Sequence, residues 1–569
     1  MNLYLDIETN RKHDKIWCCY TWDEKNGMVC HTKASTLTTL VASSDKVIGH
    51  NLIGFDRVVL NNCWGVKISS KKVIDTLILS RLYNPNLEGG HSLEAWGTRL
   101  GNKKIDYPQV FFDTYSVNGL LDSNLNCWDT PDFSLLHSYC KQDVLLLVDI
   151  HKQLVSLLKD FSSKSIELEH DVAFIIQEQK EHGFKLDIQK AQGLLAMLQG
   201  KMVDIESQLQ KVFPPIIQKR VSEKTGKPLK DKEIIFNPGS RQQIAERLSS
   251  IGVKFNKKTD KGNIIVDEKV LENIDKPEAK LLAEYLMLQK RVAQVGSWLE
   301  EVGANERVYG NVITNGAVTG RMTHSSPNMA QVPNVGSPYG KECRDLWTVD
   351  SGNVLVGIDA SGLELRMLAH YMKDEGYVKT VTEGSSKDGT DVHTVNQKAA
   401  GLQTRDQAKT FIYAFLYGAG PSKIGSIVGG NAEKGQQLIT TFLKSTPSLQ
   451  ILRNKVTKFA SKGFVPGLDG RKIWVRSEHS ALNSLLQGAG AIVMKQALVL
   501  LKQKLIEQRI PHGFCANVHD EWQIETRPEW ADAVGKIALI SIADTKDVLN
   551  LRCPLAGEYR VGYTWKDTH

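Results

Sequence analysis

The chain has few of the features that mark secreted, zinc-binding or membrane proteins. Its nine cysteines are scattered over 569 residues, and no two of them are separated by two residues. This spacing argues against a zinc ribbon and against a disulfide framework. No uninterrupted apolar run approaches the ~18 residues that cross a bilayer, and the N-terminus lacks the layout of a signal peptide. We therefore expect a cytoplasmic protein that does not contact a membrane.

Internal repeats and low-complexity segments are also missing, which excludes a solenoid and a disordered linker protein. Hydrophobic residues make up 41% and charged residues 24% of the chain, as in ordinary globular proteins. The length predicts about three to four domains. The net charge is +7, but residues 1–160 hold 17 basic and 18 acidic residues. The basic surplus of the remainder fits a polyanion partner and an ordinary soluble surface about equally.

The order of predicted elements divides the chain. Residues 1–160 alternate short strands such as "NLYLDIET" with helices such as "FDRVVLNNCW", which predicts an α/β layer domain. From about 165 to 310 the pattern is helical and charged, with one helix ending at Gly183. The stretch 213–241 is rich in Pro, Lys and Gly and predicts an exposed loop that leads into a helix at Ser240. Strands and helices mix again from 311, and about 390–460 is helical.

A first group of acidic residues lies in the N-terminal part. Asp6 and Glu8 are two residues apart on a predicted strand, so their side chains share a face. Tyr139 and Asp143 are one helical turn apart and also share a face, and Asp56 lies at a loop-to-helix junction. Four carboxylates suit Mg²⁺ or Mn²⁺ rather than zinc. Two such ions can promote phosphodiester hydrolysis, with Tyr139 orienting the water.

An isolated Asp-x-Glu pair more often just ends a strand. Asp75 competes with Asp56 as the third acid, but its surroundings predict a structural strand-to-helix turn, so we prefer Asp56. Taken in order, "DIE", "HNLIGFD" and "YCKQD" resemble the 3′–5′ proofreading exonucleases that use four acids and a tyrosine.

A second pair of acids lies far along the chain. Asp359 follows "VLVGI", a run typical of a buried strand, and Asp520 lies in "VHDEWQIE", which predicts a tight hairpin or a bulged strand. Because neighbouring strand residues point to opposite faces, we assign Asp520 as the ligand and give Glu521 a secondary place. We expect Asp359 and Asp520 to meet and to bind divalent metal beside a triphosphate.

Between these acids, "TRDQAKTFIYAFLYGAG" predicts a helix with Arg405, Lys409 and Tyr413 on one face. Two cations one turn apart can bind phosphate oxygens, and the tyrosine can stack on a sugar or base. Cations on a helix face are more often a solvated stripe, but this helix is otherwise apolar. His393 is a further candidate phosphate contact.

These segments together resemble the family A DNA polymerases, most closely the bacteriophage replicative branch. "DASGLELR" and "VHDE" look like the two catalytic motifs, and "RDQAKTFIYAFLYGAG" looks like the fingers helix. "FNPGSR", "NGAVTGRMTHSSPNMAQVPN", "SPYGKECR" and "GLDGRKIWVRSEHSALNSLLQGAGA" also match in order. The resemblance implies a multidomain α/β and α+β fold, an RNase H-like exonuclease followed by a right-hand polymerase. The implied domains are the exonuclease (1–160), thumb (161–310), palm (311–370 and 480–569) and fingers (371–479).

The resemblance also implies roles for individual residues. Asp359 and Asp520 would hold two Mg²⁺ ions, with Mn²⁺ as an alternative, and a second pair of ions would occupy the exonuclease site of Asp6, Glu8, Asp56 and Asp143. Arg405, Lys409 and His393 would bind the triphosphate. Glu364 would exclude a ribose 2′-hydroxyl and touch Tyr413, a tyrosine that accompanies easy acceptance of dideoxynucleotides. Contacts to DNA would come from Arg321, Gln331, Tyr417, Gly418, Asn483, Gln487 and His519.

The implied partners are primer–template DNA and dNTPs, and the resemblance leaves room for a replicative helicase–primase. The best-known phage relatives carry a long thumb insertion that binds thioredoxin. Only the short basic stretch 211–236 stands in that place here, so we do not expect thioredoxin binding. For a phage enzyme, the expected location is the cytoplasm of the host cell.

Three other classes of protein compete with this interpretation. A single-subunit RNA polymerase would lack the N-terminal acids, and Glu364 argues against ribonucleotides. A stand-alone nuclease would degrade DNA without extending it. A non-enzymatic binding module would not need acids at these positions.

Overall fold

The computed structural model describes residues 1–117, 119–221, 226, 228–255, 258–259 and 262–569. The helices are α1 (Ala34–Ser43), α2 (Asp56–Trp64), α3 (Thr76–Tyr83), α4 (Leu93–Leu100), α5 (Tyr107–Tyr115), α6 (Phe133–Leu157), α7 (Ser163–His182), α8 (Ile188–Val212), α9 (Arg241–Ser250), α10 (Glu268–Glu272), α11 (Pro277–Glu301), α12 (Gly340–Asp345), α13 (Leu363–Met372), α14 (Glu375–Glu383), α15 (Val392–Ala400), α16 (Arg405–Leu416), α17 (Pro421–Ser426), α18 (Ala432–Ser445), α19 (Pro447–Ala460), α20 (Ala481–Glu507) and α21 (Pro528–Val548).

The strands are β1 (Asn2–Thr9), β2 (Ile16–Asp23), β3 (Gly27–His31), β4 (Lys46–Gly49), β5 (Val73–Asp75), β6 (Phe184–Leu186), β7 (Ile216–Val221), β8 (Pro228–Ile234), β9 (Arg307–Val308), β10 (Asn311–Ile313), β11 (Thr323–Ser325), β12 (Trp347–Thr348), β13 (Val354–Ala360), β14 (Phe464–Pro466), β15 (Lys472–Trp474), β16 (Gly513–Val518), β17 (Glu521–Thr526) and β18 (Gly557–Gly562).

The chain forms two compact units. The first contains residues 1–182, 311–325 and 356–561, and the second contains 183–310, 326–355 and 562–569. Helix α7, which the sequence analysis grouped with the thumb, belongs to the first unit. The five-part division by domain name stays a prediction.

The N-terminal part of the first unit is built on a five-stranded sheet of order β3-β2-β1-β4-β5. Strands β1, β2 and β3 pair antiparallel, whereas β4 and β5 run parallel to β1. Helix α6 packs against β1 and β2. Because a parallel sheet needs helical crossovers that cover its faces, the alternating pattern of the first 160 residues leads to this layered domain. The predicted RNase H-like α/β layer is confirmed.

The rest of the first unit contains a four-stranded sheet of order β16-β17-β13-β18. The long helices α20 and α21 pack against each other beside it. Helix α20 is long and apolar enough to cross a membrane by length and composition alone, but 78% of its apolar window is buried inside the protein. Helix α20 is therefore a core element of the protein. Each Leu or Ile side chain that it buries stabilises the folded state by roughly 1.5–3 kcal/mol.

A buried ion cluster joins α7 to the elements around α20. Glu169 of α7 is completely buried, and one of its carboxylate oxygens lies 2.5 Å from Arg471 and 2.6 Å from Lys495 of α20. Arg471 also pairs with Asp469 at 2.6 Å. Buried charges must be paired to be tolerated, and this arrangement pairs each of the four.

The second unit is organised around the helices α8 and α11, which pack against each other, and an aromatic cluster. The rings of Phe184 and Trp347 are 5.3 Å apart, and those of Trp298 and Trp347 are 5.4 Å apart. Trp565 lies 5.8 Å from Phe184. The C-terminal end of the chain therefore completes this core.

The loop expected over 213–241 is wrong in part. Strands β7 and β8 pair antiparallel, with Ile216 opposite Ile234 and Gln218 opposite Lys232. β-Branched residues on both sides of a segment that contains Gly and Pro favour a hairpin. The sequence analysis gave more weight to the Pro and Lys content and predicted a loop instead. Residues 222–225 and 227 of this stretch lie outside the described part of the chain. The predicted helix start is confirmed, because the Ser240 side chain caps α9.

Candidate active sites

The structure brings Asp359 and Asp520 together. Asp359 is the penultimate residue of β13, and Asp520 lies in the turn between β16 and β17, which is adjacent to β13 in the sheet. The backbone N–H of Ala360 donates to the carbonyl of Asp520 at 3.0 Å. His519 takes a left-handed φ of 56° in this turn. Both acids line one cavity of about 390 Å³.

Glu364 stands in the same cavity at the start of α13. The Tyr417 hydroxyl donates to both of its oxygens, at 3.0 and 2.9 Å, and Arg321 donates to one of them at 3.2 Å. Burial and the nearby Glu364 charge raise the pKa of Tyr417 to about 12. The hydrogen bonds to Glu364 thus come from Tyr417, one helical turn beyond Tyr413, the residue that the sequence analysis expected Glu364 to touch.

Tyr413 also lines the cavity. Its ring lies 6.4 Å from Tyr417 and 6.3 Å from His393. Burial, followed by the charges of Glu364 and Asp520, raises the pKa of Tyr413. Tyr413 thus lies between Tyr417, which also lines the cavity, and His393 of α15.

Helix α16 presents Arg405, Lys409 and Tyr413 on successive turns, as its spacing predicts. A capping box formed by Thr404 and Gln407 sets its first turn. Arg405, Lys409 and His393 do not line the 390 Å³ cavity. Burial, together with the charges of Arg405 and Lys409, lowers the pKa of His393. Within the described residues, Nδ1 of His393 is buried without a hydrogen-bond partner.

The predicted DNA contacts are distributed over four places. Arg321, Tyr417 and His519 line the 390 Å³ cavity. Gly418 lines a different cavity of about 900 Å³ beside α18 and α19, and its φ of 75° together with the His479 carbonyl 2.6 Å from an added Cβ requires glycine.

The remaining three predicted contacts do not line the 390 Å³ cavity. Asn483 and Gln487 lie on the first turns of α20, and Gly490 and Lys495 of the same helix line that cavity. Gln331 belongs to the second unit, where its carbonyl accepts a hydrogen bond from Gln294 at 2.9 Å.

The N-terminal acids form a separate site in the first unit. Ligand atoms of Asp6, Glu8 and Cys140 all lie within 4.8 Å of one another. Burial and then the Asp143 charge raise the pKa of Asp6 to about 7, and burial raises that of Asp143 to about 6. Burial and then Asp6 raise the pKa of Asp56. Buried carboxylates that repel one another in this way fit divalent cations, which would restore their charged form.

Asp75 has a different role. Its carboxylate accepts the backbone N–H groups of Asn51, Ile53 and Leu77 at 2.9–3.0 Å, and it caps α3. These are the contacts of a structural turn, which is the role that the sequence analysis gave to Asp75.

Lys104 is a residue that the sequence analysis missed. Its Nζ lies 2.5 Å from Asp143 and 4.4 Å from the ring centre of Tyr139. It also lines a cavity of about 600 Å³ together with Arg81 and His50. The surrounding "GNKKID" has no hydrophobic period and belongs to no recognised motif, so no signal in the sequence connects Lys104 with the acids.

Comparison with known proteins agrees with this geometry. Residues 211–567 match the family described as DNA polymerase family A. The DNA-directed DNA polymerase of Enterobacteria phage T3 is 32% identical over the full length of both chains. That of Escherichia phage T7 is 33% identical over 93% of each chain.

A solved structure shares the fold. The POL domain of Pol1 from M. smegmatis, in complex with DNA primer-template and dNTP, superposes with a TM-score of 0.78 at 16% identity. The match covers 99% of this chain and 95% of that one, and it confirms the predicted fold class. From the family match and the full-length similarity to the phage enzymes, we conclude that the chain belongs to DNA polymerase family A.

Proposed function

We propose that this protein extends a DNA primer at the Asp359–Asp520 cavity and trims 3′ ends at the Asp6–Asp143 site. The polymerase class follows from family membership, whereas the residue roles, the Mg²⁺ preference and the nuclease are proposals. The observation that carries the first site is the cavity lined by both remote aspartates. The observation that carries the second is the buried cluster of acids beside Tyr139.

At the polymerase site, Asp359 and Asp520 would hold the metal ions, and hard carboxylate oxygens suit Mg²⁺ with Mn²⁺ as an alternative. Bound metal supplies charge neutralisation for phosphoryl transfer and lowers the pKa of the attacking hydroxyl. Arg405 and Lys409 bind and orient the triphosphate, since alignment and charge stabilisation are what this chemistry asks of a protein. His393 adds a phosphate contact.

The sugar of the incoming nucleotide would lie against Glu364 and Tyr413. Glu364 is held by Tyr417 and Arg321, so its position is set before a nucleotide binds. A ribose 2′-hydroxyl would meet this fixed carboxylate–tyrosine pair, which favours deoxynucleotides. The DNA roles of Gly418, Asn483, Gln487, Gln331 and His519 remain predictions.

At the second site, Asp6, Glu8, Asp56 and Asp143 would hold metal ions, and Tyr139 would orient the attacking water. Lys104 and Arg81 line the neighbouring 600 Å³ cavity with positive charge, which suits a DNA strand. No thioredoxin contact is proposed, and helicase–primase binding remains a prediction.

A primer-extension gel with paired variants tests both sites. Asp359→Asn should abolish extension and leave 3′ degradation intact, because it removes a ligand from one acid pair only. The double variant Asp6→Ala/Glu8→Ala should show the reverse pattern. Asp388→Asn, an exposed acid of the first unit, serves as the control and should retain both activities.

The outcomes separate the alternatives. Extension by Asp359→Asn would refute the polymerase site, and degradation by the double variant would refute the exonuclease site. A wild-type protein that degrades without extending in the presence of dNTPs would be a stand-alone nuclease, and one that extends only with rNTPs would be an RNA polymerase.

A further inference from the structure

A single carboxylate, Asp391, contacts two of the proposed triphosphate ligands. Its Oδ1 accepts the backbone N–H of His393 at 3.1 Å and the Nε of Arg405 at 3.0 Å, and Nη2 of Arg405 lies 2.9 Å from the same oxygen. Its Oδ2 accepts the hydroxyl of Thr394. Asp391 is therefore bonded to the start of α15 and to the first residue of α16.

The two partners differ in exposure. The Asp391 side chain is 11% exposed and that of Arg405 is 43% exposed. The carboxylate is thus fixed within the protein, whereas the guanidinium extends from it towards solvent. A guanidinium has five N–H donors, and Asp391 engages the Nε side of the fork, so donors on Nη1 and Nη2 remain for phosphate oxygens.

The lowered pKa of Asp391 is consistent with a permanent negative charge on its carboxylate. Partial burial of Asp391 works against ionisation, but the hydrogen bonds from Arg405, Thr394 and the His393 backbone outweigh it and lower the pKa of Asp391 to about 2. The carboxylate is charged throughout the neutral range. It holds a long, flexible cation whose ordering otherwise costs side-chain entropy on ligand binding.

We propose that Asp391 is a positioning residue that pre-orients Arg405, together with the His393 end of α15, for the triphosphate of the incoming nucleotide. This inference rests on the proposed function, in which Arg405 and His393 bind that triphosphate. Asp391 touches no reacting atom itself and acts through its two partners. Its removal weakens nucleotide binding because Arg405 must then be ordered when the triphosphate arrives.

Asp391 also caps α15, and this structural task must be separated from positioning. Asn caps a helix as well as Asp does, but it does not carry the charge that holds Arg405. Asp391→Asn therefore retains the cap and loses the ion pair. Asp374 provides a matched control, because it caps α14, accepts a hydrogen bond from Ser448 and, within the described residues, forms no ion pair with an arginine.

Steady-state single-nucleotide incorporation tests the proposal on the full-length enzyme. Asp391→Asn should raise the KM for dNTP about tenfold and change kcat less than threefold, as expected for lost ground-state orientation. Asp374→Asn should leave both constants within twofold of wild type. A KM of Asp391→Asn that stays within twofold of wild type or falls, or a loss confined to kcat, would overturn the proposal.

A double-mutant cycle with Arg405→Ala distinguishes this proposal from the proposed function. If Arg405→Ala raises KM and Asp391→Asn adds nothing to it, the two residues act as one unit and positioning is supported. If the effects multiply, Asp391 does not act through Arg405 and the proposal fails. If Arg405→Ala leaves KM unchanged, the proposed triphosphate site itself fails.

Folding is monitored on the same samples by thermal unfolding and by 3′ degradation, which uses the other site. Should Asp391→Asn lower the Tm by more than Asp374→Asn does, Asp391→Ser provides a second variant that keeps a capping oxygen. The same KM increase in Asp391→Ser supports the proposal, and a wild-type KM in that variant overturns it.

Discussion

At the scale of single residues, the N-terminal site combines acids that repel one another with one cation that partly neutralises them. Asp6, Glu8, Asp56 and Asp143 all have raised pKa values, with burial as the first cause. The Lys104 ammonium lowers the pKa of Asp143 and of its neighbours, against this trend. For Lys104 itself, burial lowers the pKa, but the negative charge of Asp143 and the groups beside it together raise it by more. The pKa of Lys104 therefore lies above its usual range.

Replacement of this cation should impair the nuclease alone. We expect Lys104→Met to reduce 3′ degradation by about tenfold, because Asp143 and Tyr139 lose the ammonium group that orients them. A tenfold loss corresponds to about 1.4 kcal/mol, which is within the range of a charged hydrogen bond. Primer extension should not change. Both rates are measured on one labelled primer–template.

Lys103→Met is the control, since in the described part of the chain the side chain of this neighbouring lysine forms no ion pair with the acids. A wild-type degradation rate in Lys104→Met would show that Lys104 is a bystander. An equal loss in Lys103→Met would show that general positive charge, rather than the contact with Asp143, is responsible.

The sequence predicted which candidate residues share a face where a periodic element carries them. The two-residue spacing of Asp6 and Glu8 and the four-residue spacing of Tyr139 and Asp143 survive in β1 and α6 because local geometry alone sets them. Lys104 lies in an irregular segment, where spacing in sequence says nothing about direction in space.

At the scale of elements, α7 is held against α20 by charge as well as by apolar packing. Among the described residues, Lys495 forms its ion pair with Glu169 alone, whereas Arg471 pairs with both Glu169 and Asp469. Burial, partly opposed by Glu169, lowers the pKa of Lys495 to about 8. Loss of Glu169 leaves this ammonium buried without an opposite charge.

The stability of the first unit should depend on this contact. We expect Glu169→Gln to destabilise the protein by roughly 3–5 kcal/mol, the usual cost of breaking a buried pair. Chemical denaturation followed by tryptophan fluorescence measures the change. Glu167→Gln, an exposed acid on the same helix, should stay within about 0.5 kcal/mol of wild type.

Addition of Lys495→Met to Glu169→Gln should recover part of the loss, because the uncompensated ammonium is removed. A Glu169→Gln variant as stable as wild type would mean that the buried cluster contributes specificity without net stability. In that event the double variant should show no recovery.

The elements themselves were predictable to different degrees. Helix α16 and the strand carrying Asp359 could be predicted because capping residues and continuous apolar runs mark them. The β7–β8 hairpin could not, because its two strands are short and exposed, and composition favoured a loop. Helix α20 is apolar because it is buried in the core of the protein. Length and hydropathy alone do not distinguish such a core helix from one that is buried in lipid.

At the scale of the whole molecule, the acid cluster connects stability to pH and to divalent metal. Burial and neighbouring charges raise the pKa of Asp6 in the folded protein from its ordinary value of 3.8 to about 7. Burial raises that of Asp143 from the same value to about 6. A raised folded pKa means that the native state binds the proton more tightly than the unfolded state. The contribution is therefore present below about pH 4 and is lost as pH rises through about 7.

In EDTA, the wild-type Tm should fall between pH 5 and pH 8 by about 2–4 °C more than that of Asp6→Ala/Glu8→Ala, which lacks two of the repelling acids. Millimolar MgCl₂ at pH 8 should restore the wild-type Tm and leave the double variant less affected, because the metal binds only the charged native cluster. Scanning fluorimetry in matched buffers measures both effects.

Parallel pH profiles for the two proteins would contradict this account, as would a Mg²⁺ effect of equal size in both. Asp359→Asn is the matched control for metal at the other site. It should keep the pH profile of wild type in EDTA.

The sequence by itself determined the class of the protein and the identity of its main acids, because the motifs are local and lie on regular elements. Tertiary structure alone decided that Asp359 and Asp520, some 160 residues apart in the chain, line one cavity. It also decided that Lys104 meets Asp143 and that Asp391 holds Arg405. Such contacts arise from the packing of distant elements, and no local period or propensity encodes them.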